Sequence, residues 1–132
     1  MSEQNVEVVR AVIDGWLRSD PATLELISSE VVYESPPDQP GGGTYRGHEG
    51  VLQWVVDWRA EWTDYQMSAV WVKDLGDQVL SCERHRASGK RSGARVDMET
   101  FGLWTLREGK VTRWQGFTSE DEARDAARQP HP

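Results

Sequence analysis

Val96 to Thr118 reads VDMETFGLWTLREGKVTRWQGFT, two strand-like runs joined at Arg107-Glu108-Gly109-Lys110. Gly109 can take the positive φ that a short hairpin loop needs, so the segment is expected to fold back on itself. Side chains on a strand alternate between faces. Val96, Met98, Thr100 and Trp104 therefore share one side, and Asp97, Glu99, Phe101, Leu103 and Thr105 the other. The second set mixes two carboxylates with apolar bulk. An unpaired charge is strongly unfavourable in a core, so that face is either wet or lines a site.

Upstream, Tyr65 to Lys73 and Val79 to Ala87 alternate in the same way. With Val96 to Leu106 and Val111 to Thr118 they make four successive strands, and the short connections at Asp74-Leu75-Gly76-Asp77 and Ser88 to Gly93 imply an antiparallel meander. Helices precede it. Val6, Val9, Ile13, Trp16 and Leu17 keep helical spacing; Asp20 as N-cap and Pro21 at the first position then start a short second helix with Leu24 and Ile27 on its apolar side. Val31 to Ser35 reads as a strand stopped by Pro36-Pro37, and Pro36 to Arg46 as a loop. Its Gly41-Gly42-Gly43 is followed by no Gly-Lys-Ser/Thr, so it is not a phosphate loop. Gly47 to Trp62 is expected to be a third helix with an inner stripe of Val51, Trp54, Val55, Trp58 and Trp62. Ser119 and Glu122 form a capping box for a last helix through Arg128. The expected plan is one α+β domain over residues 1–128, its helices covering one face of a curved antiparallel sheet around a cavity, with a flexible tail at 129–132.

Composition narrows the partners. A formal charge of −7 gives a nucleic acid no electrostatic reason to bind, although Arg84, Arg86, Lys90, Arg91 and Arg95 gather around one hairpin. No apolar run approaches the ~20 residues of a membrane span, and the polar N-terminus carries no secretory pattern. The single Cys82 fits a reducing, cytoplasmic setting. His48, His85 and His131 have no zinc spacing, so neither metal nor cofactor is expected. Seven tryptophans against two phenylalanines suggest a pocket for a small apolar or aromatic ligand.

The order of elements, the Tyr45-Arg46-Gly47-His48-Glu49-Gly50 opening of the third helix, and the run from Trp104 to Val111 followed by Arg113 and Phe117 resemble the SnoaL-like branch of the nuclear transport factor 2 superfamily. The likeness extends from about Asn5 to Ala127 and implies an NTF2-like cone enclosing a pocket. It implies no single activity, because that cone hosts polyketide cyclases, ketosteroid isomerases, limonene epoxide hydrolase and binding domains without chemistry. Against the isomerases, Ser35 stands where the family has its base, Phe101 where it has its acidic donor and Val12 near its tyrosine, so steroid isomerisation is not expected.

The resemblance also implies facing. It turns Asp97, Glu99, Phe101 and Leu103 to the concave side with Leu80, Cys82, Arg84 and Arg86, and with Trp114, Gly116 and Thr118. A register that sets Arg84 opposite Asp97 agrees. Glu83 and His85 then fall on the convex side. So do Val79, Val96, Met98, Trp104 and Phe117, an apolar surface that suggests a homodimer through the sheets. On this reading Arg84, Asp97 and Glu99 are the candidate catalytic residues, with Trp54, Trp58, Phe101 and Trp114 as ligand-binding walls; a plain ion-pair network is the competing explanation. Two functions stay open: a cofactor-independent acid–base enzyme (isomerase, cyclase or epoxide-opening hydrolase) acting on an apolar cyclic metabolite, or a non-catalytic binding or carrier protein of the same fold.

Overall fold

The computed structural model describes residues 2–18, 20–39 and 42–129, so the readings on the Leu17 side chain, Gly41 and residues 130–132 lie outside it. Helix α1 (Ser2–Arg18) is followed by a 3-10 helix (Pro21–Leu26), strands β1 (Ile27–Ser35) and β2 (Gly43–Arg46), and helix α2 (Gly47–Arg59). Strands β3 (Trp62–Asp74), β4 (Gln78–Gly89), β5 (Arg95–Arg107) and β6 (Lys110–Phe117) come next, and helix α3 (Glu120–Ala127) closes the described chain. The six strands form one sheet in the order β2-β1-β6-β5-β4-β3. Its pairs are antiparallel except β1 with β6, which run parallel.

Local chemistry explains the ends of these elements. The Asp20 carboxylate accepts from the Ala22 N–H at 3.0 Å, and the Ser119 hydroxyl accepts from the Glu122 N–H at 3.4 Å, each satisfying a donor that a helix start leaves over. Three boundaries differ from the sequence reading. Part of the expected loop is β2, whose Tyr45 hydroxyl donates to Asp57 of α2 at 3.0 Å. Ile27 opens β1 instead of closing a helix, and α2 stops at Arg59, so that Trp62 begins β3 opposite Gly89.

The β5–β6 hairpin closes on two residues. Arg107 pairs with Lys110, and Glu108 and Gly109 between them both have positive φ, 54° and 78°. That backbone suits the right-handed twist of the flanking strands. One residue further in, the ladder slips: Leu106 pairs with Val111 but Thr105 pairs with Arg113, leaving Thr112 as a bulge whose hydroxyl donates to the Thr105 carbonyl at 3.2 Å. Beyond the bulge, Trp104 sits opposite Trp114 and Gly102 opposite Gly116. Without it Trp114 would face Leu103, and Asp97, Glu99 and Phe101 would share its side.

This overturns the expected facing. The inner face of β4 and β5 carries Val79, Ser81, Glu83, His85, Thr100 and Trp104, against α1 and α2. Leu80, Cys82, Arg84, Arg86, Asp97, Glu99, Phe101 and Leu103 point outward. Leu80, Cys82, Phe101 and Leu103 are covered there by Ala123 of α3, while Arg84, Arg86, Asp97 and Glu99 are in solvent. The apolar convex surface from which a homodimer was inferred is therefore absent as drawn. Val79 and Trp104 belong to the inner core, Val96 and Met98 lie on the same face of β5 as Trp104, and Phe117 packs with the cluster under α3.

Gly102 shows how tightly the inner face is filled. A Cβ there would stand 2.7 Å from the Trp114 indole nitrogen and 2.9 Å from that of Trp104, so only glycine lets both rings lie over β5. Gly102→Ala is expected to destabilise the fold by about 1–3 kcal/mol in urea unfolding. A change within about 0.5 kcal/mol, typical of a surface site, would contradict this packing.

Candidate functional site

Between the inner sheet face and helices α1 and α2 lies a cavity of about 70 Å³ for the centres of water-sized molecules. Helix α1 contributes Trp16, β1 contributes Tyr33 and Ser35, and α2 contributes Trp54 and Trp58. The sheet adds Tyr65 from β3, Glu83 and His85 from β4, Thr100 and Trp104 from β5, and Trp114 from β6. Aromatic rings make up much of the walls. Tyr33 meets Trp54 edge-on at 5.3 Å between ring centroids and Trp114 at 5.0 Å, and Trp58 meets His85 at 5.6 Å.

Polar groups are few and held in place. His85 is clamped on both ring nitrogens, Nδ1 at 2.7 Å from the Tyr65 hydroxyl and Nε2 at 2.7 Å from the Thr100 hydroxyl. Burial pulls its pKa down to about 4, so the ring is neutral at pH 7. A neutral imidazole has one donor and one acceptor nitrogen, and each hydroxyl can take either part, so the three groups form one polarised chain. Burial pushes the Tyr65 phenol up to about 12, against the opposing effects of Trp58 and Arg59, which keeps it a proton donor.

Glu83 sits two residues from His85 on the same face. Its residue is only 6% exposed, and its Oε2 finds no hydrogen-bond partner among the described residues. Burial raises its carboxyl to about 7, with the Ser81 hydroxyl pulling the other way. Ser81 is itself fixed by the Trp104 indole N–H, which donates to it at 2.8 Å. A carboxyl poised near neutrality in an apolar cavity can both take and return a proton.

The sequence-derived residues divide between the two faces. Trp54, Trp58 and Trp114 line the cavity, but Phe101 does not: it packs against Trp71 on the outer side at 6.1 Å. Arg84 and Asp97 do meet, in a two-pronged bridge of 2.9 and 2.8 Å, yet both are largely exposed. The ladder sets Arg84 opposite Glu99 and Arg86 opposite Asp97, so the bridge is diagonal. The Arg84 guanidinium holds the Asp97 carboxyl below its ordinary value, which suits an ion pair better than a proton carrier. Glu83 and His85 were legible as a pair on one strand face and were assigned to the wrong side. Among the described residues no group of three His, Cys, Asp or Glu side chains could hold a metal ion, and no helix is long and apolar enough to cross a membrane.

An aromatic cavity closed by helices over a curved sheet, with one acid inside it, defines a small-molecule pocket protein. A family model described as the SnoaL-like domain matches residues 9–114, and the chain belongs to that family. Solved structures share the NTF2-like fold at low identity. An NTF2-like protein of Burkholderia thailandensis E264 is 23% identical with a TM-score of 0.79, covering 96% of this chain and 98% of its own. TerC, co-crystallised with polyporic acid, is 19% identical at 0.77, covering 96% and 99%. An LEH-like epoxide hydrolase of M. tuberculosis is 15% identical at 0.69, covering 94% and 89%. No curated protein sequence matches the chain significantly.

The two perturbed groups make stability depend on pH in opposite senses. Glu83, raised from 4.5 to about 7, favours the fold most below pH 4.5 and loses that contribution as pH rises through 7. His85, lowered from 6.5 to about 4, contributes above pH 6.5 and loses it as pH falls towards 4. Glu83→Gln is therefore expected to stabilise the protein at pH 8, by on the order of 1–3 kcal/mol in urea unfolding, and to make little difference at pH 4.5. A gain independent of pH would mean that Glu83 titrates alike in the folded and unfolded chain.

Proposed function

We propose that the chain is a cofactor-independent acid–base enzyme acting on a small apolar cyclic metabolite, with Glu83 as the group that carries the proton. The observation behind this is the Glu83 carboxyl itself, buried, without a hydrogen-bond partner at Oε2 among the described residues, raised to about 7 and facing an aromatic cavity. Near neutral pH both of its forms are populated. The carboxylate can take a proton from a substrate carbon, and the acid so formed can return it at a second carbon, the sequence an isomerase or cyclase needs. Activation of a water for epoxide opening would use the same group. The neighbour described as an epoxide hydrolase lends that variant support at the level of fold alone.

Tyr65, His85 and Thr100 supply the other half. Their chain leaves one O–H free at the cavity wall, on whichever of Tyr65 and Thr100 accepts from the imidazole N–H, where it can meet charge that develops on a substrate oxygen. A cytoplasmic setting belongs to this reading.

A flat neutral probe tests it without the natural substrate. In nitrobenzisoxazole a base removes the ring C–H proton, the N–O bond breaks and a cyanophenolate forms. Wild-type protein should accelerate this ring opening, with a rate that climbs with pH and levels off above about 7. Glu83→Gln should cost roughly 10²-fold in kcat/KM, while Asp97→Asn should leave it within about twofold. Equal rates for wild type and Glu83→Gln, or loss on Asp97→Asn instead, would return the chemistry to the outer face or leave a binding protein without turnover.

A further inference from the structure

Three polar atoms at the same cavity make no well-aligned hydrogen bond among the described residues: the indole nitrogens of Trp16 and Trp54 and the hydroxyl oxygen of Tyr33. Tyr33 is fully buried and Trp16 is 9% exposed. Leaving a buried donor unmatched costs about 1–3 kcal/mol, so poorly matched donors gathered around one space point to an acceptor supplied from outside the chain. They lie together. Trp54 is edge-on to Tyr33, and the Trp16 indole N–H reaches the Tyr33 hydroxyl oxygen as a donor, which leaves the Tyr33 O–H itself free to donate. All three belong to α1, β1 and α2, whereas Glu83 belongs to β4. The cavity thus has donors contributed by one set of elements, among them Arg59 of α2, which donates to the Trp16 carbonyl, and an acid by another, with aromatic carbon between.

We propose that Trp16, Tyr33 and Trp54 form a receptor for one acceptor oxygen, so that the pocket selects uncharged ring compounds bearing a carbonyl-type oxygen: ketones, quinones or lactones. A carboxylate ligand fits less well, because it would bring a second anion into the cavity with Glu83, while the Arg59 guanidinium at the wall already serves the Trp16 carbonyl. A plain hydrocarbon fits the walls but offers these donors no acceptor. This inference rests on the cavity being the ligand site; it does not require Glu83 to perform chemistry.

Indanone and indane share a ring frame and differ by the carbonyl, so their affinities for the whole protein, measured by calorimetry or tryptophan fluorescence, isolate the receptor. Wild type should prefer indanone by about tenfold. In Trp16→Phe with Tyr33→Phe that preference should fall to near unity while indane binding changes little. If those substitutions unfold the chain, Trp54→Phe, at a half-buried position, should reduce the preference by about threefold or more. Glu83→Gln should keep it, which separates this inference from the proton-transfer reading: loss of ring opening with the preference intact supports both. A preference that survives removal of the donors, that disappears only in Glu83→Gln, or that is absent because neither compound binds, overturns the receptor.

Discussion

Side chains on a strand alternate, so one extra residue in a ladder turns everything beyond it to the opposite face of its neighbour. Thr112 is that residue. Between the two-residue turn at Glu108-Gly109 and the Trp104–Trp114 pair it shifts the register by one, and the unbroken β4–β5 ladder carries the result across the sheet. Glu83 and His85 are inside and Asp97 and Glu99 outside because of it. The bulge is anchored by its own hydroxyl on the Thr105 carbonyl, and Gly102 and Gly116 beyond it leave the space that the paired indoles occupy.

What the inner face then carries is energetically unusual. Much of the cavity lining is aromatic, and the fold gains from burying it; Glu83 works against that gain, since its Oε2 meets no hydrogen-bond partner among the described residues. The protein answers by making the neutral acid affordable rather than by pairing the charge. Its His85 neighbour answers in the same way, staying neutral between two hydroxyls. Groups that a purely structural core would replace with leucine are the ones that give the cavity chemical capacity.

Much of the architecture was legible in the sequence. The four-strand meander, the Asp20 and Ser119 caps and the tryptophan stripe of α2 each rest on local rules, and the resemblance carried by Tyr45 to Gly50 and Trp104 to Val111 agrees with the family. The side of the sheet was not legible, because Arg84 and Asp97 pairing across strands fixes only that they share a face. Either face satisfies the pair. A salt bridge in water and a catalytic cluster in a cavity leave the same alternation, and the bulge that decides between them has no strong signature in Val111-Thr112-Arg113. The apolar outward run of Leu80, Cys82, Phe101 and Leu103 misled for a related reason: α3 supplies that face with a cover of its own through Ala123.

The account depends most on the state of one carboxyl. Carbon-13 NMR of the Glu83 side chain, assigned by comparison with Glu83→Gln and followed through pH, reads it directly. The structure predicts a midpoint near 7, well apart from the exposed Asp97, whose midpoint lies below its ordinary value. A Glu83 midpoint near the ordinary 4.5 would mean that the carboxyl is solvated and that the inner face described for β4 is wrong.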